Sequence, residues 1–273
     1  MKIAVNAWCF PDDTPVTTML ETAKAAGLDG LELNLNEPEH PGLTLDSDNH
    51  EIMTIKRLSH QYGIELHSLS TSLLWKWPLS SPDAEVRTQA KRIIRKQLEL
   101  ANALEIRTIL VVPGIVDAYT NYEECWMRSQ YELAELANHA NTLGVRIGVE
   151  NVWNKFLLSP VEMARYLDEI SAVNLGAYFD VGNVLNFGYP EQWIKTLSHR
   201  IFKVHVKDFN TRIGNINGFV PLLSGDVNWQ AVRQSLREIG YDDYLTAEIM
   251  PYQTNKTQAV YDSAQQMQVI AQL

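Results

Sequence analysis

The chain is poor in cysteine: 273 residues contain two, Cys9 and Cys125. Two thiols without the paired spacing of a zinc site build no disulfide framework, so both are expected as buried, reduced side chains with no chemistry of their own. Long apolar runs are missing as well. No stretch approaches about 18 uninterrupted apolar residues, and the run after Lys2 is too short for the apolar core of a signal peptide. These absences point to a cytoplasmic protein with no membrane partner. Positive charge is the third shortage, with 23 Lys and Arg against 33 Asp and Glu for a net charge of −10. A surface of that sign repels phosphate backbones, which makes small molecules rather than nucleic acid the expected partners. A glycine-rich phosphate loop is also absent after the first strand, where Trp8-Cys9-Phe10-Pro11 stands, so an open dinucleotide-binding sheet is disfavoured.

What is present is a regular alternation. Runs rich in Val, Ile and Leu at 2–8, 30–36, 64–70, 107–113, 146–151, 175–181, 201–208 and 244–250 read as strands. Between and after them, 15–26, 49–62, 82–104, 122–143, 160–172, 190–199, 228–239 and 256–271 carry apolar residues at helical spacing. Thr14-Pro15, Ser81-Pro82 and Ser159-Pro160 place a capping hydroxyl before a first-turn proline, and Gly27, Gly63, Gly144 and Gly240 stand where helices should stop. Eight strand-helix units of about 34 residues keep one crossover hand and favour parallel strands that close on themselves. The expected fold is therefore α/β, a (β/α)8 TIM barrel forming one domain over residues 1–273.

Three connections that follow strands are long: 37–48, 71–81 and 209–227. All lie at the carboxyl end of the strands, the face on which such barrels keep their sites, and the third is the expected lid. Strand side chains alternate between faces. If Val204 and Val206 face the helices, then Lys203, His205 and Lys207 face inward; the same parity turns Glu32, Asn34, Glu150, Asp180, Thr246, Glu248 and Met250 into the barrel. Glu150, Asp180 and Glu248 would crowd negative charge at one end, where at least one would be driven neutral unless a cation intervenes. With His205 they form a set suited to one divalent ion, Mn2+ first, with Mg2+, Co2+ or Zn2+ also compatible, rather than to a closed structural zinc site.

The segments Val149-Glu150-Asn151, Phe179-Asp180-Val181-Gly182-Asn183, Val204-His205-Val206-Lys207-Asp208 and Ala247-Glu248-Ile249 together resemble the sugar phosphate isomerase/epimerase family, the xylose isomerase-like barrels. Ser224-Gly225-Asp226-Val227-Asn228-Trp229 is similar to the segment that opens the seventh helix there. The resemblance implies that Glu150, Asp180, His205 and Glu248 bind one divalent metal and that Glu150 and Glu248 are the acid/base pair of a ketose 3-epimerase. It also makes a homodimer or homotetramer the expected assembly. Epimerases of free ketoses tend to carry histidine where this chain has Asn183; the Asp-x-Gly-Asn form looks more like the ribulose-phosphate and hexulose-phosphate branch. Lys155, Lys207 and Arg212 offer positive charge for a phosphate.

The implied chemistry is proton abstraction beside a metal-bound ketose carbonyl, with return of the proton to the opposite face inverting the carbon. Delivery to the neighbouring carbon would instead make an aldose-ketose isomerase, and an inosose-type dehydratase begins with the same step. A non-catalytic sugar-binding protein is a further alternative, which the retained carboxylates oppose. A multi-zinc endonuclease on the same fold needs more inward histidines than His205 and His67. Among the remaining candidates, Asn183 reads as a substrate contact, and Lys207 and Asp208 divide between a salt bridge and substrate contact. His67 reads either as a substrate contact or as a hydrogen-bonded core residue. Trp8, ahead of Trp75 and Trp77, is a candidate wall for a sugar face, and Asn6 and Glu32 are candidates to support the metal ligands.

Overall fold

The computed structural model describes residues 1–273. Ten strands form in chain order: β1 (Lys2–Asn6), β2 (Gly30–Asn34), β3 (Glu65–Ser70), β4 (Thr108–Val111), β5 (Arg146–Glu150), β6 (Leu175–Asp180), β7 (Ile201–Val206), β8 (Asp208–Phe209), β9 (Phe219–Val220) and β10 (Tyr244–Ala247). Eight of them close into a barrel in the order β1-β10-β7-β6-β5-β4-β3-β2, while β8 and β9 pair as a short antiparallel ribbon. The barrel pairings are all parallel. The helices are α1 (Val16–Ala25), α2 (Asn49–Tyr62), α3 (Leu73–Lys76), α4 (Ala84–Ala103), α5 (Tyr122–Thr142), α6 (Pro160–Ile170), α7 (Pro190–Leu197), α8 (Trp229–Glu238) and α9 (Gln258–Gln272). The eight expected strand-helix units are all present. The short helix α3, inside the connection 71–81, was not expected.

Several strands end earlier than their apolar pattern. β10 stops at Ala247, and Met250, expected to point inward, is 79% exposed in the loop beyond. β1 stops at Asn6 and passes into a 3-10 turn, Ala7–Cys9, whose first free amide, that of Trp8, is capped by the Asn6 side chain at 2.6 Å. Two caps differ from expectation. α4 is capped by Asp83, which accepts from the Glu85 amide at 2.8 Å, and Thr14 makes no cap at α1, which Pro15 precedes. Ser159 does cap α6, accepting from the Glu162 amide at 3.2 Å ahead of Pro160. At Gly63 a φ of 66° closes α2 in the left-handed conformation that a side chain disfavours.

The core lies between strands and helices, where Val5, Leu31, Ile109, Ile147, Phe179 and Val204 are fully buried from the outward strand faces. Burial of this kind is worth roughly 25 cal/mol per Å² of apolar surface and holds the helical layer to the barrel. The inward faces are polar to an unusual degree for a barrel interior: Asn6, Glu32, Ser68, Ser70, Asp180, His205 and Thr246 are almost without solvent contact. Room for the one large ring among them comes from Gly148 on β5, where a Cβ would lie 3.0 Å from that of Tyr178. Register slips between β2 and β3, so that Glu32 partners Ser68 while Leu31 partners Leu66, and His67 is the extra residue. That bulge changes the phase of β3 and turns both His67 and Ser68 inward.

Cys9 and Cys125 are buried free thiols, each pushed up to about 12 by burial, which leaves them protonated and unreactive near neutral pH.

Strands β3 and β4 share one register pair, Leu69 with Ile109. The seam is closed by a side chain: Gln97 of α4, fully buried, donates to the carbonyls of Leu69 at 2.7 Å and Leu110 at 3.1 Å. Removing that amide strands two buried carbonyls. Gln97→Ala is expected to lower the unfolding free energy by about 2 kcal/mol or more, read as a fall in the urea midpoint at unchanged m value. An unmoved midpoint would show that the seam does not depend on Gln97.

Candidate metal centre and active site

Glu150 ends β5, Asp180 ends β6, His205 lies one residue from the end of β7, and Glu248 follows β10. Parity turns all four inward at the carboxyl end of adjoining barrel positions, and one ligand atom from each falls within 4.8 Å of the others. Donors bound at about 2.1 Å to one ion lie within about 4.2 Å of each other, so a small contraction completes the site. His205 Nδ1 stands 2.8 Å from Glu248 Oε2, 3.4 Å from Glu150 Oε1 and 4.0 Å from Asp180 Oδ2. These four atoms are buried and none makes a hydrogen bond. Buried polar atoms are otherwise almost always paired, so four that converge without partners fit a cation. Three carboxylate oxygens and one imidazole nitrogen suit a divalent metal.

A second layer fixes the imidazole. Glu32 of β2 takes the other ring nitrogen, His205 Nε2, at 2.8 Å, which leaves Nδ1 aimed at the cluster. Glu32 is itself held by Ser70 Oγ at 3.0 Å and by short hydrogen bonds from Asn6, Ser68 and Tyr178. Burial alone would raise the Glu32 carboxyl, but His205 and these donors hold it well below the carboxylate range. Around the cluster, Lys207 Nζ lies 2.9 Å from Glu248 Oε1 and 3.3 Å from Asp180 Oδ2. Burial pushes Glu150 and Asp180 up. It would push Glu248 up too, yet Lys207 and His205 hold that carboxyl down. Counting Glu32, four carboxylates face one ammonium, and a divalent ion offsets most of the remaining charge.

The loop ends that carry these residues are tied together. Asn151 accepts from the Asp180 amide and donates to the Asp180 carbonyl, both at 2.9 Å. The Asn183 amide donates to Asp180 Oδ1 at 2.7 Å, and its side chain donates to the Asn151 carbonyl at 2.9 Å. Gly182 allows the close approach of Lys207, whose Cβ would lie 2.6 Å from a Cβ at that position. Asp208 accepts from the amides of Phe209 at 2.9 Å and Val227 at 3.2 Å and from the Trp229 indole at 3.2 Å, closing the 209–227 loop on itself. A side chain at Gly225 would overlap the Asp208 carboxylate. The Ser224–Trp229 segment is thus a structural clasp.

Asn183, expected as a substrate contact, and Asp208, for which a structural pairing and a substrate contact were both open, have side chains committed to the scaffold. Lys207 is not a cation at the mouth but an inner neighbour of Asp180 and Glu248. His67 lies outside the ligand cluster as a core residue, stacked on Tyr244 at 4.2 Å with Thr246 Oγ1 3.3 Å from Nε2 and Ser68 Oγ 3.1 Å from Nδ1. Arg212 and Lys155 are exposed on loops and form no ion pair. Trp8 is half-buried, and its indole donates at 2.9 Å to the Asn34 carbonyl in the amide orientation that also lets Asn34 donate to Ser70. Sequence reasoning missed Ser68, Ser70 and Tyr178. Parity would have found Tyr178, whereas the bulge at His67 hid Ser68.

The sequence profile of the xylose isomerase-like TIM barrel family matches residues 20–271. The chain belongs to that family. Among curated relatives, L-ribulose-5-phosphate 3-epimerase UlaE of Escherichia coli O157:H7 is 26% identical over 223 residues, covering 81% of this chain and 78% of the relative. Two solved family-like barrels superpose closely. An L-ribulose 3-epimerase gives a TM-score of 0.82 at 17% identity, covering 99% of this chain and 94% of that one. The IolI protein with a bound zinc atom gives 0.81 at 18% identity, covering 99% and 98%.

Two outcomes follow from this geometry. Metal ligands must be deprotonated, and Glu150, Asp180 and His205 are all raised without the ion, so the metal displaces protons. Affinity should therefore rise with pH through the range above ordinary carboxylate titration, with protons released in calorimetry across buffers of different ionisation enthalpy. A pH-independent affinity would exclude these ligands. Glu32→Gln should weaken metal binding by about 10-fold or more by loosening His205, measured by titration of the metal-free protein. Unchanged affinity would show that His205 needs no such support.

Proposed function

We propose that this protein is a divalent-metal-dependent sugar epimerase that inverts C3 of a ketose or ketose phosphate, with Glu150 and Glu248 as its acid/base pair. The observation that carries this reading is the convergence of four buried, hydrogen-bond-free ligand atoms at the barrel mouth, two of them from glutamates on well-separated strands. In the barrel order β5 and β10 are separated by β6 and β7, which bring Asp180 and His205. Glu150 and Glu248 therefore approach a common centre from different sides. UlaE, a relative across most of the chain, supports the substrate class.

When bound, the ion, for which we propose Mn2+, polarises the ketose carbonyl and stabilises negative charge on the adjacent oxygens. Glu150, Asp180, His205 and Glu248 would hold it. Glu248, kept ionised beside Lys207, takes the proton from C3, and Glu150 delivers one to the other face; in the reverse reaction the two exchange roles. Glu32 keeps the His205 ring in place during both steps. Trp8, pinned by Asn34, offers an indole face for the sugar. The β8–β9 ribbon packs Phe209 and Phe219 on Trp153 at 5.5 and 5.2 Å and sets the Phe219 ring 5.6 Å from Lys207 Nζ, beside the cluster. Arg212, exposed in the connection between β8 and β9, and Lys155 are the loop cations we propose for a phosphate.

Deuterium incorporation from D2O tests the reading directly, with pentuloses, hexuloses and their phosphates, added Mn2+, and NMR detection. Wild type should exchange the C3 proton and form the C3 epimer, and Glu248→Gln should lower the rate by at least about 100-fold. Label at C1 or C2 with an aldose product would mean an aldose-ketose isomerase. No exchange with any sugar, in protein that binds Mn2+, would sink the epimerase reading in favour of a dehydratase or a sugar-binding protein.

A further inference from the structure

Glu248 is the most weakly anchored of the four cluster residues by secondary structure. The ladder between β1 and β10 ends at Val5 and Ala247, and the ladder between β10 and β7 ends at Ala247 and Val206. Glu248 stands one residue beyond both and keeps one tie to β7, its amide donating to the Val206 carbonyl at 3.2 Å. It is also the most solvent-accessible of the four side chains, at 19%. Two residues further on, Met250 is already exposed. A base and metal ligand in such a place needs a second restraint, because misplacement of about 1 Å is enough to cost a large part of a rate.

The chain supplies one from β1. After Asn6 the backbone turns through Ala7–Cys9 and brings Cys9 back across the end of β10. The thiol is fully buried. Its Sγ donates to the Ala247 carbonyl at 3.3 Å and accepts from the Ile249 amide at 3.2 Å. Those are the peptide groups on either side of Glu248. The side chain takes the place of the strand neighbour that β1 no longer provides and extends the ladder by one rung.

We propose that Cys9 is a positioning residue for Glu248: its thiol clamps the two peptides flanking that glutamate and so sets the carboxylate in the cluster. This rests on the reading of Glu248 as a metal ligand and base. The residue is not a nucleophile and touches no substrate in this role; it acts through the backbone of another residue. The geometry requires a group that both donates and accepts in a fully enclosed space.

Two variants separate hydrogen bonding from packing. Cys9→Val fills the space without either hydrogen bond, and Cys9→Ser keeps donor and acceptor in a smaller side chain. Two readouts are taken on metal-free protein: Ile249 amide exchange by NMR, and Co2+ affinity by visible-spectrum titration. The expected result for Cys9→Val is loss of Ile249 protection and Co2+ binding weaker by about 10-fold or more, with an altered Co2+ spectrum. Cys9→Ser should stay near wild type on both. Wild-type exchange and affinity in Cys9→Val would overturn the proposal, as would equal losses in the two variants, which would assign the effect to packing. Wild-type protein that binds no Co2+ would overturn the metal reading instead, and Ile249 exchange in Cys9→Val would then decide the clamp on its own.

Discussion

Three carboxylates and an imidazole meet at the carboxyl end of this barrel with their ligand atoms aimed at one point and none of them hydrogen-bonded. Like charges gathered in a space with little water are stable only when a cation joins them or when some of them are neutral. Lys207 supplies one positive charge and engages Asp180 and Glu248, but it leaves Glu150 facing His205 alone. Much of the surrounding construction follows from that imbalance. Glu32 takes the far side of His205, and Asn6, Ser68, Ser70 and Tyr178 in turn stabilise the ionised Glu32 by hydrogen bonding. Strands β1, β2, β3, β6 and β7 each contribute a side chain to that network, so the charged centre also ties the barrel interior together.

The polar interior has a structural counterpart in the loops. Asn151, Asn183 and Asp180 exchange hydrogen bonds across the ends of β5 and β6, and Asp208 folds the 209–227 loop back onto α8. Both motifs contain a glycine whose missing Cβ makes the contact, Gly182 against Lys207 and Gly225 against Asp208. Residues that look like substrate contacts in a linear motif are in this way occupied by the task of holding the ligands at their spacing. Trp8 on its 3-10 turn is half-buried and held by Asn34, while Lys155 and Arg212 are exposed on loops.

Legibility differed sharply between the metal ligands and their surroundings. Glu150, Asp180, His205 and Glu248 could be found by parity because each sits on or just past a strand with a strict two-residue period, and each interrupts an otherwise apolar pattern. The same reasoning located Glu32 and Asn6. It failed for Ser68, because an extra residue at His67 shifts the phase of β3, and a bulge has no composition signal of its own. It failed for Met250, since parity says which way a strand residue points but not where the strand ends. Lys207 was read as a charge for a phosphate and Asn183 as a substrate contact, whereas distance puts one beside the ligands and the other in the scaffold.

The sequence by itself determined the alternation of eight strands and eight helices, the parallel closed barrel that this order demands, and the side of each strand on which a carboxylate stands. Those are local properties, fixed by periodicity and by the single hand of the crossover. Tertiary structure alone decided which inward groups share one centre, which oxygen of each carboxylate lacks a hydrogen bond, and that the thiol of Cys9 braces the peptides around Glu248. These depend on distances between residues up to about 240 positions apart, and such distances are set only when the barrel closes and β1 meets β10.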